Sequence, residues 1–269
     1  MNKSSRQHKA PMPRLLVEER RRHIIDLVEK NGRATVEGLS QHFGISAVTI
    51  RGDLEALDRA GAITRSHGGA LPIVVAHIDT PLTIKESRRL AEKRRIGAAA
   101  AKLISDGETI ILDSGSTTVE IARCIRQRQW QSLTVITNAL NIALELNGLT
   151  NVRIMMLGGM LRPTSYSLAG PDAEQALGKL SADRLFLGVD GLDPLVGVTT
   201  PDPQEAMLNA LMVRVSRETV AVLDSSKLGQ RSLSVIAPVE SLQVVITDTN
   251  APAATIDNLR ERGVQVMTV

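Results

Sequence analysis

From residue 109 onward, short β-branched or apolar runs alternate with helical stretches, and this alternation restricts the fold more than any other feature of the chain. The runs occupy 109–112, 133–136, 152–157, 185–189, 220–223, 244–247 and 264–269. Between them, 119–127, 139–147, 172–180 and 205–215 carry apolar residues at helical spacing. A strand that returns after each helix predicts a mainly parallel sheet, and near-continuous apolar strands need helices on both faces. The expected fold class is therefore α/β for the larger, C-terminal part of the chain.

The N-terminal quarter lacks that pattern. Leu16, Ile24, Ile25, Leu27 and Val28 fall on one helical stripe, which Asn31-Gly32 ends. Thr35 is placed to cap a second helix with Val36, Leu39 and Phe43 inside, and Gly44 supplies a sharp turn. Ser46 caps a third helix that runs through Ile50, Leu54 and Leu57 towards Gly61. The alternating residues after Gly61, closed by Gly68-Gly69, suit a short hairpin or wing. Four segments follow: a disordered basic arm over 1–14, a helical module with a wing over 15–71, a linker over 72–85, and the α/β domain over 86–269. Thr83 and Glu86 have the spacing of a capping box that opens one long charged helix towards Ile104.

Charge divides along the same boundary. Residues 1–72 hold 12 Lys/Arg against 8 Asp/Glu, and the remainder holds 20 against 21. A basic small module on a near-neutral large one fits a phosphate-backbone grip attached to a soluble sensor, although a solvated basic tail has the same composition. No apolar stretch approaches the roughly 18 to 20 residues that span a bilayer, and no apolar signal core follows the basic start, so no membrane association and a cytoplasmic location are expected. Cys124 is the only cysteine and reads as a packed helix residue, so neither a disulfide within the chain nor a multi-cysteine metal site is expected.

Two short helices joined by a tight turn can set the later one in the major groove of DNA while the earlier braces it. Ser46, Ala47, Val48, Thr49, Arg51 and Gly52 form the outer face of that third helix, with Thr35 at the start of its partner. Arg51 suits a guanine edge or a phosphate, and Ser46 and Thr49 suit backbone or base hydrogen bonds. Arg65, Ser66 and His67 in the wing suit phosphate or the minor groove. A three-helix packing module with no nucleic acid has the same spacing.

In the larger domain, Asp113, Ser114, Gly115, Ser116, Thr117 and Thr118 follow a strand and open a helix. Backbone N–H groups, hydroxyls and the positive helix end would then converge on an anion such as phosphate. Thr117 and Glu120 also have capping-box spacing, so a plain helix cap is the competing reading. Other strand ends carry Thr137, Asn138, Asp190 and Lys227, where an open α/β sheet places its ligand crevice. Asp202-Pro203 with Glu205 opens another helix. Neither a Walker loop nor a dinucleotide fingerprint occurs.

The segment Thr49-Ile50-Arg51-x-Asp53-Leu54-x-x-Leu57, followed by Gly61 and Arg65-x-His67-Gly68-Gly69-Ala70, resembles the signature of the DeoR family of bacterial sugar-catabolism regulators. The resemblance extends through Ile-Leu-Asp-Ser-Gly-Ser-Thr-Thr, Thr-Asn, Leu-Gly-Gly and Asp-Ser-Ser-Lys, and so covers nearly the whole chain. It implies a winged helix-turn-helix and a sensor domain similar in fold to ribose-5-phosphate isomerase and the coenzyme A transferases. It further implies Ser114 to Thr118 as a phosphate loop and Lys227 as a ligand. Leu187-Gly188-Val189-Asp190 and Glu205-Ala206-x-Leu208-Asn209 look closest to the N-acetylgalactosamine regulators of that family, which implies a sugar-phosphate effector, an amino-sugar phosphate among them. Gly52 departs from the basic or polar residue usual at its position.

An isomerase-like enzyme with a fused DNA module is the rival. All five histidines, at 8, 23, 42, 67 and 77, precede the α/β domain, which leaves it none for acid–base or metal chemistry. An isomerase also has no physical use for a DNA module. The expected protein is thus a non-enzymatic repressor that needs no cofactor or metal, binds double-stranded operator DNA and a sugar phosphate, and works as a dimer or tetramer.

Overall fold

The computed structural model describes residues 16–31, 33–66, 68–71 and 80–269. The arm expected over 1–14, most of the linker expected over 72–85, Gly32 and His67 lie outside the described residues. The chain divides into two compact units, Met1–Val74 and Val75–Val269.

In the first unit, α1 (Val17–Asn31), β1 (Ala34–Thr35), α2 (Val36–Phe43) and α3 (Ala47–Arg59) precede a hairpin of β2 (Thr64–Ser66) and β3 (Gly69–Leu71). Ile24, Ile25 and Val28 of α1, Val36 and Leu39 of α2, and Ile50, Leu54 and Leu57 of α3 are buried together with Ile63 and Ala70. Leu16 does not join this stripe. It is 72% exposed and precedes the helix, where its N–H is held by Glu19. The wing is antiparallel as expected, and β1 adds a third strand on the other side of β3. At two residues, β1 is too short to show a period of two. The unit is a winged helix-turn-helix.

The second unit opens with α4 (Leu82–Ser87) and α5 (Leu90–Ala101). This corrects the single long helix expected from a Thr83 capping box. Pro81 precedes the first helical residue and offers no side-chain cap, and the Leu82 N–H donates instead to the Thr164 carbonyl at 2.7 Å. Arg88 is extended and Arg89 left-handed at φ 50°, which breaks the helix and brings the Arg89 guanidinium to Asp224 at 3.5 Å. Partners distant in sequence set this break, so charge periodicity does not register it.

Next come β4 (Thr109–Leu112), α6 (Thr118–Arg126), β5 (Leu133–Thr137), α7 (Leu140–Leu146) and β6 (Val152–Met156). A small hairpin, β7 (Met160–Arg162) and β8 (Ser167–Ala169), leads to α8 (Pro171–Leu177) and β9 (Ala182–Gly188). The strands β10 (Gly191–Asp193) and β11 (Gly197–Thr200) precede α9 (Pro203–Val215) and β12 (Ser216–Val222). The chain ends with β13 (Ser234–Ala237), β14 (Val244–Thr247), α10 (Ala253–Glu261) and β15 (Gln265–Thr268). All seven apolar runs of the sequence become strands of one sheet, in the order β15-β14-β12-β9-β4-β5-β6, with every neighbouring pair parallel.

Successive strand residues point to opposite faces. Ile111, Leu185, Leu187, Ala221 and Val245 therefore pack with Leu177, Leu208, Met212 and Leu259 from α8, α9 and α10. Ile110, Leu112, Phe186, Val220 and Ile246 pack on the other face with Ile96, Ile121, Ile125, Ile142 and Leu146 from α5, α6 and α7. The chain builds outward from β4 through β5 to β6, then returns to lay β9, β12, β14 and β15 on the opposite side of β4. The order thus reverses between β4 and β9. The strands' carboxyl ends splay at such a switch point and leave a crevice there.

Candidate functional site

In the helical unit, Thr35 accepts a hydrogen bond from the Gly38 N–H at 3.1 Å and so caps α2. Gly44 takes the left-handed conformation at φ 65°, which lets the chain turn into α3. Ser46 caps α3 by accepting from the Thr49 N–H at 3.2 Å, and its hydroxyl also lies 2.9 Å from that of Thr49. Val48, Thr49, Arg51 and Gly52 are exposed, Ala47 is half-buried, and the opposite face of the helix is sealed into the core.

Sequence reading gave no structural role to Asp53. It is buried on the inner side of α3, where it accepts from Arg20 Nε at 2.6 Å and Arg21 Nε at 3.0 Å. That two-armed ion pair pins the exposed helix to α1. The Arg65 N–H donates to Asp58 at 3.0 Å and ties the start of the wing to the end of the same helix. Arg65 is exposed and Ser66 half-buried.

At the switch point of the sensor unit, Asp113 ends β4 with its carboxylate turned back beneath the loop that follows. One oxygen accepts from the Gly188 N–H at 2.9 Å and the other from the Gly115 N–H at 3.1 Å. Gly115 and Gly188 meet backbone to backbone; a Cβ on Gly188 would lie 3.1 Å from the Gly115 Cα. Burial pushes the Asp113 carboxyl up to about 7 despite these two hydrogen bonds, and the Glu205 charge adds to the rise. The Thr118 hydroxyl lies within hydrogen-bonding reach of the Asp113 and Gly115 carbonyls. The hydroxyls of Ser114, Ser116 and Thr117 have no hydrogen-bond partner among the described residues.

The competing capping box at Thr117 does not form. Thr117 is itself helical and makes no side-chain cap bond, while Glu120 pairs with Arg123 and Arg94. The first turn of α6 is therefore free of a side-chain acceptor. The Thr137 hydroxyl at the end of β5 accepts from the Ala139 N–H at 3.1 Å. Asn138 donates to the Leu168 carbonyl at 3.1 Å and is 1% exposed, and its Oδ1 has no hydrogen-bond partner among the described residues.

Asp190, beyond β9, joins a charged cluster. Lys85 Nζ lies 2.8 Å from its carboxylate and Lys227 Nζ 3.8 Å. Burial alone would raise Asp190, but these two ammonium groups outweigh it and hold the carboxyl below the usual range. Thr200 lies 3.5 Å from Asp190 and 3.3 Å from Glu205, which pairs with Arg162 at 2.7 Å. Burial and the Asp190 charge push Glu205 up, against the pull of Lys85 and Arg162. Asp202 caps α9 and holds Arg162 at 3.1 Å.

The structure thus gathers Asp190, Glu205 and Lys227 into one network and joins Asp113 to it through the field of Glu205. Sequence reasoning missed Lys85, Arg162 and Thr200. Lys85 is one of many charges on a helix, and Arg162 and Thr200 sit on strands of three and four residues. Among the described residues no group of three His, Cys, Asp or Glu is arranged to hold a metal, and no helix is long and apolar enough to cross a membrane.

Residues 20–73 match the DeoR-like helix-turn-helix domain, and residues 88–249 match the DeoR C terminal sensor domain. A candidate aga operon transcriptional repressor of Escherichia coli O157:H7 is 39% identical over 253 residues, 93% of each chain. The transcriptional regulator GlpR of Haloferax volcanii is 37% identical over 253 residues, 94% of this chain and 98% of that one. The transcriptional repressor GlcR of Bacillus subtilis is 33% identical over 93% of this chain and 95% of its own. Ribose 5-phosphate isomerase A of Methanocaldococcus jannaschii overlaps 51% of this chain and 53% of its own, at a TM-score of 0.37 and 18% identity. Two domain matches in the order of the two folded units, with full-length relatives that are regulators, place the chain in the DeoR family of transcriptional regulators.

Proposed function

We propose that the protein represses a carbohydrate-utilisation operon and releases its operator when a phosphorylated sugar binds at the β4–β9 switch point. The observation that carries this is the loop between β4 and α6. It combines a helix start lacking a side-chain acceptor, three unengaged hydroxyls on Ser114, Ser116 and Thr117, and a position where the sheet order reverses. In this reading the loop holds the phosphate and Lys227, with Lys85, balances its charge. Asn138, Asp190 and Glu205 take sugar hydroxyls, and Asp113 and Thr137 shape the backbone around them. The likeness to a repressor of the aga operon favours a sugar-related effector, an amino-sugar phosphate among the candidates.

On the DNA side, Thr35, Ser46, Ala47, Val48, Thr49, Arg51, Gly52, Arg65, Ser66 and His67 contact duplex, with Arg51 reading a base edge or a phosphate. The DNA module spans 15–71, the connection 72–85 and the sensor 86–269. A single winged unit buries little DNA, so a dimer or tetramer acts on repeated half-sites in the cytoplasm. Coupling of about 1–3 kcal/mol would weaken operator binding by roughly 5- to 150-fold, and the operator would weaken effector binding equally.

A thermal-shift screen of phosphorylated and free sugars tests the sensor half, because a ligand of the folded state raises its apparent melting temperature. Stabilisation by one phosphorylated sugar, together with its release of bound duplex, is expected. A panel in which free sugars stabilise as well as their phosphates removes the phosphate loop from the reading.

A further inference from the structure

The solvent face of α3 carries Val48, Arg51, Gly52 and Glu55, spaced so that they share one side of the helix. Two of these residues work against the stability of the free unit. Val48 is 74% exposed, so it buries little apolar surface while bearing the χ1 restriction of a β-branched residue in a helix. Gly52 stands mid-helix, where glycine costs about 0.5–1 kcal/mol relative to alanine. Packing within the chain does not require it, because a Cβ built at Gly52 meets nothing within 4 Å.

The polar neighbours are arranged differently. Ser46 and Thr49 spend their hydroxyls on each other and on capping the helix, whereas Arg51 is exposed and unpaired among the described residues. What α3 offers outward is therefore an apolar knob, a gap one turn further on, and a cation beside the gap. Residues that break a local rule with no compensation inside the chain point to something outside it.

We propose that Val48 and Gly52 form an apolar notch that reads the 5-methyl group of a thymine in the major groove. This inference rests on reading the first unit as the DNA-binding element. Thymine carries the only apolar group that a base pair presents in the major groove, and cytosine lacks it. Val48 supplies the matching methyl contacts. Gly52 lets the base edge approach the helix backbone more closely than any side chain would allow, and Arg51 reaches an acceptor or a phosphate next to it. The sequence preference of this protein is then set by shape and an apolar contact as much as by hydrogen bonds.

The test uses the full chain. Duplexes enriched from a random pool are rebuilt with deoxyuridine in place of each thymine in turn, which removes the methyl group and leaves every hydrogen-bonding atom. At one thymine per half-site, the loss expected for the native chain is about fourfold, one methyl's share of buried apolar surface. Val48→Ala weakens the parent duplex and no longer responds to deoxyuridine at that position. Gly52→Ala raises the melting temperature of the helical unit yet weakens the selected duplex by roughly fivefold or more, the cost of overpacking a filled contact. Its affinity falls with salt as steeply as that of the native chain, since no phosphate contact is lost.

A Gly52→Ala chain that binds as tightly as the native one, or that melts at a lower temperature, overturns the inference. So does a selected duplex indifferent to every thymine methyl. Failure to enrich any duplex defeats the DNA reading itself, and the two failures are distinct.

Discussion

Replacing Asp113 with Asn should change the stability of the sensor unit in opposite directions at low and high pH. In the folded chain the Asp113 carboxyl titrates at about 7, against 3.8 for the exposed group. Below about pH 4 both states hold the proton and the group contributes nothing. Between pH 4 and 7 the unfolded chain has lost its proton while the folded chain retains it, so stability falls as pH rises. Above pH 7 the penalty is constant, and a rise from 3.8 to about 7 corresponds to roughly 4 kcal/mol.

Asparagine escapes that penalty, but it has one acceptor oxygen for two donors, the Gly115 and Gly188 N–H groups. One buried donor then loses its partner, at a cost of about 1–3 kcal/mol at every pH. The variant should be less stable than the parent near pH 4, more stable at pH 8, and equal to it near about pH 5, where the two costs balance. Urea unfolding followed by tryptophan fluorescence measures this directly. Trp130 is the only tryptophan, is 5% exposed and lies in the sensor core, so its signal reports that unit alone. Parallel pH profiles for parent and variant would refute the assignment of a buried, proton-holding carboxyl to this position.

Gly188→Ala places a Cβ 3.1 Å from the Gly115 Cα and 3.3 Å from both Asp113 oxygens, and should destabilise the Trp130 transition by about 1–3 kcal/mol while removing protection by sugar phosphate; a native-like melt with native affinity would show that the close approach is dispensable. Asp53→Ala strands Arg20 and Arg21 and should weaken the helical unit by about 2 kcal/mol, seen as faster amide exchange in α1 and α3 with an unchanged Trp130 transition. The combined change Lys227→Ala and Thr117→Ala should leave duplex binding intact but abolish its release by inducer, and an undiminished response would take both residues out of the pocket.

Much of the fold was legible because a central parallel strand is buried on both faces, so its composition is itself the signal. Ile110, Ile111 and Leu112, all fully buried, needed no context to be recognised. The strands β7, β8, β10 and β11 span three or four residues between turns, and no periodicity can develop over that length. They nevertheless supply Arg162 and Thr200 to the charged cluster.

Letter patterns failed where a distant partner chose between local options. Thr83 and Thr117 both begin a Thr-x-x-Glu match, and neither caps a helix: Thr83 lies inside α4, whose first N–H is taken by the Thr164 carbonyl, and arginines take the Glu120 carboxylate that a box at Thr117 would use. Asp113 is the most instructive case. Its place at a strand end suggested a side chain facing a ligand, yet the carboxylate turns inward because the end of β9 presents the Gly188 N–H 2.9 Å away. That contact spans 75 positions of sequence, and it fixes the Gly115 backbone that an anion would meet. The residues that shape the candidate site are in this sense less visible in the sequence than those that would touch the ligand: a hydroxyl at a helix start can be read from its neighbours, whereas the carboxylate that orients the loop beneath it depends on which strand comes to lie alongside.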